Sequence, residues 1–285
     1  MKTEFFDYYN RGREKDRHNR CFIEFTRTKD ILDRHMNTNK KDVLDMGGGA
    51  GFYSFWLADK GYNVHLRDIV PLHMEQAKHE EIESNIKLAS IAVGDATCFE
   101  FEDNSLDYIL LFGPMYHIQG YEDRIKVLSE AKRTLRDGGK IFTVFIHRNS
   151  ALLDFVKLKD INDDKFKKSA IESLENGCFN NRDLGHFTNG YFHTVEEFKD
   201  EVIDSGLKCE NIYNIEGINR LIDNFDEKIK DKNYFDFYMN IMRIIEQDNS
   251  LYGVASHLMA ILEKPTYDTI VKDANITMKR TKKYE

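Results

Sequence analysis

This sequence has few cysteines and no long apolar run. Its four cysteines (Cys21, Cys98, Cys178 and Cys209) are far apart and include no C-x-x-C pair, which argues against a zinc site and a dense disulfide framework. Residues 1–20 are polar and charged, without the apolar core of a signal peptide, and no run is long enough to span a membrane. The sequence therefore predicts a cytoplasmic protein with reduced thiols and no membrane partner.

The chain also has no excess of positive charge, because its formal net charge is -8. Phosphate binding needs basic surface, so this balance argues against nucleic acid as the partner. No histidine shows a spacing typical of metal ligands, and we expect no metal. With 285 residues, the chain suits one large domain or a domain with insertions, and we expect a monomer or a homodimer.

The most informative stretch is V-L-D-M-G-G-G-A-G at residues 43–51, where an apolar run reaches Asp45 and a glycine-rich turn follows. Residues 52–58 then show the apolar spacing of a helix. Strand, glycine turn and helix form the first unit of a doubly wound α/β sheet, which binds ligands at the carboxyl ends of its strands. Such a turn also occurs without a ligand, so the motif alone does not decide the function.

The glycine spacing distinguishes two classes of cofactor. Glycines at 47, 49 and 51 behind Asp45 give D-x-G-x-G-x-G, and Phe52 stands where a dinucleotide fold has its third glycine. In this respect the chain resembles the class I methyltransferases that depend on S-adenosylmethionine (SAM). SAM carries an ammonium and a sulfonium and no pyrophosphate, so it suits an acidic strand end. A NAD(P)-dependent oxidoreductase is the less favoured alternative.

Six further strands are predicted, at about 63–67, 86–93, 106–112, 140–147, 207–215 and 257–263. Between the fourth and fifth strands we expect a helix with Ile125, Leu128 and Leu135 on one face, ended by residues 137–139. The alternation of strands and helices predicts a doubly wound, seven-stranded, mostly parallel sheet of the Rossmann-like α/β class.

The sequence also suggests a division of the chain. We expect a helical cover at 1–40, a SAM-binding core at 41–148 and a helical lid insertion at 149–193. Residues 194–265 would complete the core, with a helical insertion at about 216–255, and 266–285 would form a tail.

Two further motifs narrow the resemblance. G-P-M-Y-H-I at residues 113–118 and S-H-L at 256–258 resemble a bacterial group of SAM methyltransferases with a G-P-[LM]-Y-H-[LI] turn after the fourth strand. The resemblance extends from Tyr8 to Pro265. It implies an enzyme that moves the SAM methyl group to an N, O or S atom of a small-molecule acceptor by in-line displacement, leaving S-adenosylhomocysteine (SAH). The group has varied acceptors, so the acceptor is not named.

The resemblance implies a set of cofactor-binding residues. Asp68 would bind the ribose, although an aspartate here also caps the next helix, which Pro71 supports. Asp95 and Ala96 would bind the adenine. Tyr9, with its neighbour Tyr8, would cover the cofactor; alternatively, these aromatic side chains anchor an N-terminal helix to the core. The remaining positions are Asp45, Gly47, Gly48, Gly49 and Gly51 at the methionine end, together with Ile69 and Phe112.

The acceptor side is implied by the turn after the fourth strand. His117 would be the general base, since an imidazole accepts protons near neutral pH, with Tyr116 beside it as the second catalytic candidate. Alternatively, both side chains form local hydrogen bonds that shape the turn. Acceptor contacts are expected from Tyr8, Pro114, Met115, His186 and Tyr191, although aromatic residues of a lid also serve packing.

Two other functions stay open. A non-catalytic SAM- or SAH-binding regulator would share the cofactor motifs. An RNA or adenine methyltransferase is less favoured, because residues 113–116 keep the proline and tyrosine of an N-P-P-Y motif and lack its first, hydrogen-bonding side chain.

Overall fold

A computed structural model of the protein describes residues 6, 9, 21–37, 39, 41–157, 164–180 and 188–265. Nine strands lie in this part of the chain: β1 Asp42–Met46, β2 Asn63–Asp68, β3 Ser90–Val93, β4 Leu106–Leu111, β5 Leu135–Ile146, β6 Cys178–Phe179, β7 Gly190–Tyr191, β8 Lys208–Asn214 and β9 His257–Glu263. Ten α-helices accompany them: α1 Phe22–His35, α2 Phe52–Asp59, α3 Pro71–Ser84, α4 Pro114–His117, α5 Tyr121–Thr134, α6 Ser150–Lys157, α7 Asp164–Asn176, α8 Val195–Asp204, α9 Phe225–Lys228 and α10 Lys232–Ile245.

Seven strands form one sheet in the order β3-β2-β1-β4-β5-β9-β8. The strands from β3 to β5 pair in parallel, whereas β9 pairs antiparallel with both β5 and β8. The strand order reverses between β1 and β4, because β2 and β3 follow on one side and β5 follows on the other. Doubly wound sheets bind ligands in the crevice outside the carboxyl ends of the strands at such a reversal. The predicted seven-stranded, mostly parallel α/β fold is confirmed.

Helices cover both faces of the sheet. Side chains alternate along β1, so Val43 and Leu44 enter different cores. The core around Val43 takes side chains from α1, α2 and α3, and the core around Leu44 takes side chains from α5 and α8. A third cluster packs α10 and α9 around Phe225, Tyr238 and Met242.

Two predicted boundaries were wrong. The third strand comprises four residues, Ser90–Val93, rather than the longer 86–93. The helix expected to include Leu135 ends at Thr134, because Leu135 is extended and pairs with Leu106 of β4. The predicted stop at 137–139 therefore lies inside β5. There Gly139 is needed for close strand approach, since a Cβ would lie 2.7 Å from the Asp107 carbonyl oxygen.

The helical material beyond β5 agrees with the periodicity of the sequence. Thr194 forms a capping box with Glu197 at the start of α8. Helices α6 and α7 and the hairpin β6–β7 occupy the described part of 149–193, and α10 lies in the second insertion. The division into cover, core and lid stays a prediction. Among the described helices, none combines the length and the apolar character needed to cross a bilayer.

Candidate active site

A glycine turn connects β1 to α2. Gly47, Gly49 and Gly51 have φ angles of 78°, 58° and 89°, a region that side chains with a Cβ disfavour. The N–H groups of Gly47 and Gly48 donate to the Arg67 carbonyl at the end of β2, at 2.7 and 3.3 Å. The turn is thereby fixed between the ends of two adjacent parallel strands.

Asp45 lies directly beneath this turn. A Cβ at Gly48 would come within 2.5 Å of the Asp45 carboxylate, and Asp45 itself is 0% exposed. The Ser54 hydroxyl donates to its Oδ2 at 2.7 Å, whereas Oδ1 has no hydrogen-bond partner among the described residues. Burial raises the pKa of Asp45 to about 7, against the lowering effect of Ser54, and the nearby Asp68 carboxylate raises it further. A bound cation would stabilise the charged form.

Asp68 ends β2 on the opposite side of the turn. Its Oδ2 accepts from the Gly49 N–H at 2.9 Å and its Oδ1 from the Val70 N–H at 2.8 Å. Val70 is the N-cap of α3 and precedes Pro71, the first residue of the helix. Asp68 therefore holds the segment that enters α3, but it does not cap the helix, which has no side-chain cap hydrogen bond. Its carboxylate also faces the cavity described next, where a ribose role stays a prediction.

The strand ends surround one cavity of about 960 Å³. Thirteen of the predicted site residues line it: Tyr9, Asp45, Gly47, Gly48, Gly49, Asp68, Ile69, Asp95, Ala96, Phe112, Pro114, Tyr116 and His117. The carboxylate of Asp95 also accepts from the backbone N–H and hydroxyl of Thr97, at 2.9 and 2.8 Å. The fold therefore brings residues from four separate strand ends and from the N-terminal region to the same space.

The structure places three predicted site residues away from the cavity lining. Gly51 is the N-cap of α2, where a Cβ would lie 2.9 Å from Leu66. Met115 is 0% exposed and belongs to the core beneath the turn, so an acceptor contact from it is not supported. The Tyr191 ring lies against the guanidinium of Arg124, 3.7 Å from the ring centroid, which is a packing role. Tyr8 and His186 are outside the described residues.

Tyr116 and His117 make different contacts. The Tyr116 hydroxyl donates to the Phe112 carbonyl at 2.5 Å. This is a local hydrogen bond of the kind that shapes the turn, the alternative to a catalytic role. His117 Nε2 shares a hydrogen bond of 2.7 Å with the Tyr9 hydroxyl. The Tyr9 ring also lies edge-on to His73, with centroids 5.5 Å apart. Tyr9 thus connects the turn after β4 with the first turn of α3.

Residues 44–143 match the family model described as a methyltransferase domain. This part of the chain is a methyltransferase domain. A solved SAM-dependent methyltransferase from Methanosarcina mazei has the same fold, with a TM-score of 0.57, 18% identity, and coverage of 82% of this chain and 96% of that one. The predicted class I, Rossmann-like methyltransferase domain is confirmed for this part of the chain, and a domain of this class implies SAM as the cofactor.

Two curated proteins are similar in sequence to part of this chain. The ubiquinone/menaquinone biosynthesis C-methyltransferase UbiE of Zymomonas mobilis is 38% identical over 181 residues, covering 58% of this chain and 66% of that protein. The tRNA U34 carboxymethyltransferase of Campylobacter fetus is 28% identical over 170 residues, covering 55% and 54%. The chain therefore spans about two thirds or less of these relatives.

His73 was not among the predicted site residues, but it lines the cavity. His73 is 2% exposed, and its Nδ1 lies 3.1 Å from Asp68 Oδ1. Its position in the first turn of α3, directly after the strand-end aspartate, is a signal that could have indicated it. Lys29, Phe52 and Trp56 also line the cavity and were not predicted.

Polar contacts hold the β6–β7 hairpin against the methyltransferase domain. Gln119 lines the cavity, and its amide donates to Asn180 Oδ1 at 3.0 Å and to the Gly190 carbonyl at 3.1 Å. Arg124 donates to the Gln119 carbonyl at 2.7 Å and pairs with the buried Glu201. The loop before α5 is therefore tied to both the hairpin and α8.

A group of three potential metal ligands lies outside the cavity lining. One ligand atom each from Glu24, Glu216 and His257 lie within 4.8 Å of one another. Glu216 already accepts the His257 backbone N–H at 3.0 Å and shares a hydrogen bond with its ring. Through these two hydrogen bonds, Glu216 and His257 support the start of β9.

Proposed function

We propose that the protein is a SAM-dependent methyltransferase that transfers the methyl group to an atom of a small-molecule acceptor by in-line displacement. The buried carboxylate of Asp45 carries the proposal. It has one oxygen without a hydrogen-bond partner among the described residues, and its pKa is raised by burial. An uncompensated carboxylate in this position is stabilised by a cation, and SAM supplies an ammonium.

The chain's own residues would bind and orient the cofactor. Asp45 and the glycine turn would take its methionine end, Asp68 and Ile69 its ribose, and Asp95 and Ala96 its adenine. The cofactor, when bound, supplies an electrophilic methyl group. What remains for the protein is orientation of the acceptor, which can lower the barrier by about 7–11 kcal/mol.

His117 is the proposed acceptor-side base. An amine must arrive deprotonated and a hydroxyl must lose its proton as the bond forms. The Tyr9 hydroxyl, 2.7 Å from His117 Nε2, would orient the imidazole, and an acceptor proton would pass to the ring. Tyr116, whose hydroxyl is bonded to the turn, would keep the turn in place.

The acceptor is proposed to be a small molecule. The cavity volume of about 960 Å³ is at the upper end of the range for small-ligand sites, and the net charge of -8 disfavours an RNA surface. The Z. mobilis relative is by name a C-methyltransferase, so carbon joins nitrogen, oxygen and sulfur among the acceptor atoms to screen. Transfer of labelled methyl to the small-molecule or the tRNA fraction of a cell extract separates the two acceptor classes.

Isothermal titration with SAM, with NADH as the control, tests the cofactor assignment. We expect SAM binding that is weakened at least about tenfold in Asp45→Asn and Asp68→Ala, because each change removes a charged hydrogen bond. Asp226→Asn, an exposed aspartate outside the cavity lining, is the matched control. Binding of NADH instead of SAM, or equal SAM affinity in all variants, would refute the assignment.

A further inference from the structure

A single lysine faces the cavity, and the cofactor assignment does not use it. Among the described residues that line the cavity, Lys29 is the one lysine or arginine, beside the carboxylates Asp45, Asp59, Asp68, Glu80, Asp95 and Asp123. The carboxylates suit the binding of a cationic cofactor. A lysine among them indicates that a negatively charged group of a ligand also binds in the cavity.

The surroundings of Lys29 are aromatic. Its Nζ lies 4.3 Å from the Phe52 ring centroid and 5.3 Å from that of Trp56. Among the described residues it forms no ion pair. Burial lowers the pKa of Lys29 and the Lys60 ammonium lowers it further, whereas the Asp33 carboxylate raises it. Cation–π contacts stabilise an ammonium in such a site, and its hydrogen-bonding capacity remains available to an anion.

A continuous series of rings joins this lysine to the turn after β4. The Phe112 ring lies edge-on to Tyr53 at 5.1 Å, and Tyr53 is stacked on Phe25 at 5.1 Å. Phe25 then contacts Phe52 at 4.4 Å, next to Lys29. All of these side chains line the cavity, so an apolar body lying along them would place its charged end at Lys29.

We propose that Lys29, Phe52 and Trp56 form a carboxylate-binding subsite at one end of the cavity. The carboxylate has two sources: an apolar or aromatic acceptor that bears an acidic group, or the amino-acid tail of the cofactor. The first source deepens the proposed function by assigning the acceptor an acidic group. The ring-lined approach from the turn after β4 favours it.

Trp56 is the one tryptophan of the chain, so its fluorescence reports directly on the subsite. The variant is Lys29→Met and the control is Lys60→Met. Lys60 also lies over Trp56, 4.4 Å from the ring centroid, but it pairs with Asp33 and is not among the described residues that line the cavity. Both variants thus remove a cation near the same ring.

The ligands form two matched pairs. SAH is compared with 5′-methylthioadenosine, which lacks the amino-acid tail, and benzoate is compared with benzyl alcohol, with and without saturating SAH. If the acceptor supplies the carboxylate, Lys29→Met weakens benzoate binding at least about tenfold and leaves benzyl alcohol binding unchanged. If the cofactor supplies it, the same loss appears for SAH and not for methylthioadenosine.

Equal affinities in Lys29→Met and the wild type for both SAH and benzoate would overturn the subsite, as would equal losses in Lys60→Met. The proposed function fails separately, through absence of SAH binding to the wild-type protein, while the benzoate titration without SAH still tests Lys29.

Discussion

At the scale of single residues, Asp45 combines a structural cost with a binding role. A carboxylate that is 0% exposed is costly to ionise without a full set of partners. The glycine turn covers it, and Ser54 satisfies one oxygen. Strained or unsatisfied groups of this kind are characteristic of functional sites, because the ligand supplies the missing interaction.

The raised pKa of Asp45 has a consequence for stability. Burial raises its pKa from 3.8 to about 7, so between these values the folded state binds more protons than the unfolded state. The free energy of unfolding of the ligand-free protein therefore falls as the pH rises from about 4 to about 7. In Asp45→Asn this contribution, on the order of a few kcal/mol, should be absent.

Urea denaturation at pH 5 and pH 7.5 measures the difference. We expect Asp45→Asn to gain stability relative to the wild type as the pH rises, with Asp226→Asn following the wild type. Parallel profiles for Asp45→Asn and the wild type would show that Asp45 does not carry the raised pKa.

His117 and Tyr9 are distinguished by their effects on turnover. If His117 accepts the acceptor proton, His117→Ala should lower kcat by about 10²–10⁴-fold with SAM affinity nearly unchanged. Tyr9→Phe, which removes the hydrogen bond to Nε2, should lower kcat less and shift the pH profile of kcat. Unchanged kcat in both variants would assign the pair to packing.

At the scale of elements, the loop before α5 is predicted to position the hairpin β6–β7. Gln119→Leu removes the bonds to Asn180 and Gly190, so hairpin amides should exchange faster with deuterium, while SAM affinity changes less than about threefold. Gln247→Leu, which removes an exposed amide bond to Asn211, is the control. Hairpin exchange that is equal in both variants would mean that Gln119 does not hold it.

The elements also show where sequence reasoning was sufficient. Apolar runs bounded by glycine or acidic residues identified all seven strands of the main sheet. The apolar signal is strong in β1 and β4 because parallel strands in the middle of a sheet are buried on both faces. The predicted boundaries of elements were wrong where the pairing of strands outweighs the local apolar pattern of the sequence. Leu135 continues the apolar face of α5 and also pairs with Leu106, and sequence periodicity cannot tell which contact prevails.

The candidate site was predictable to the extent that it follows strand ends. Asp45, Asp68 and Asp95 lie at or within two residues of the carboxyl ends of β1, β2 and β3, so their convergence follows from a parallel sheet. Lys29 and Trp56 lie inside helices, where periodicity indicates packing, and their place in the cavity depends on how α1 and α2 meet. Met115 and Tyr191 lie outside the cavity lining, because a motif position does not reveal which way a side chain points.

At the scale of the whole molecule, cofactor binding should stabilise the fold as a unit. SAH at about 100 times its Kd would add about 2.7 kcal/mol to the free energy of unfolding, because a ligand that binds only the folded state shifts the folding equilibrium by mass action. Calorimetry of the wild type with and without SAH measures this gain, and Asp68→Ala at the same SAH concentration should show a smaller one. An equal gain in the variant would place the binding energy elsewhere.

The position of β9 has a consequence for the order of assembly. This strand is the last of the sheet to be synthesised, yet it lies between β5 and β8. Until residue 263 is available, β5 and β8 each present an unpaired edge, and such edges invite pairing with other chains. A chain cut before His257 would lack the one strand that joins the parallel half of the sheet to β8, and we expect it to aggregate rather than fold to a smaller domain.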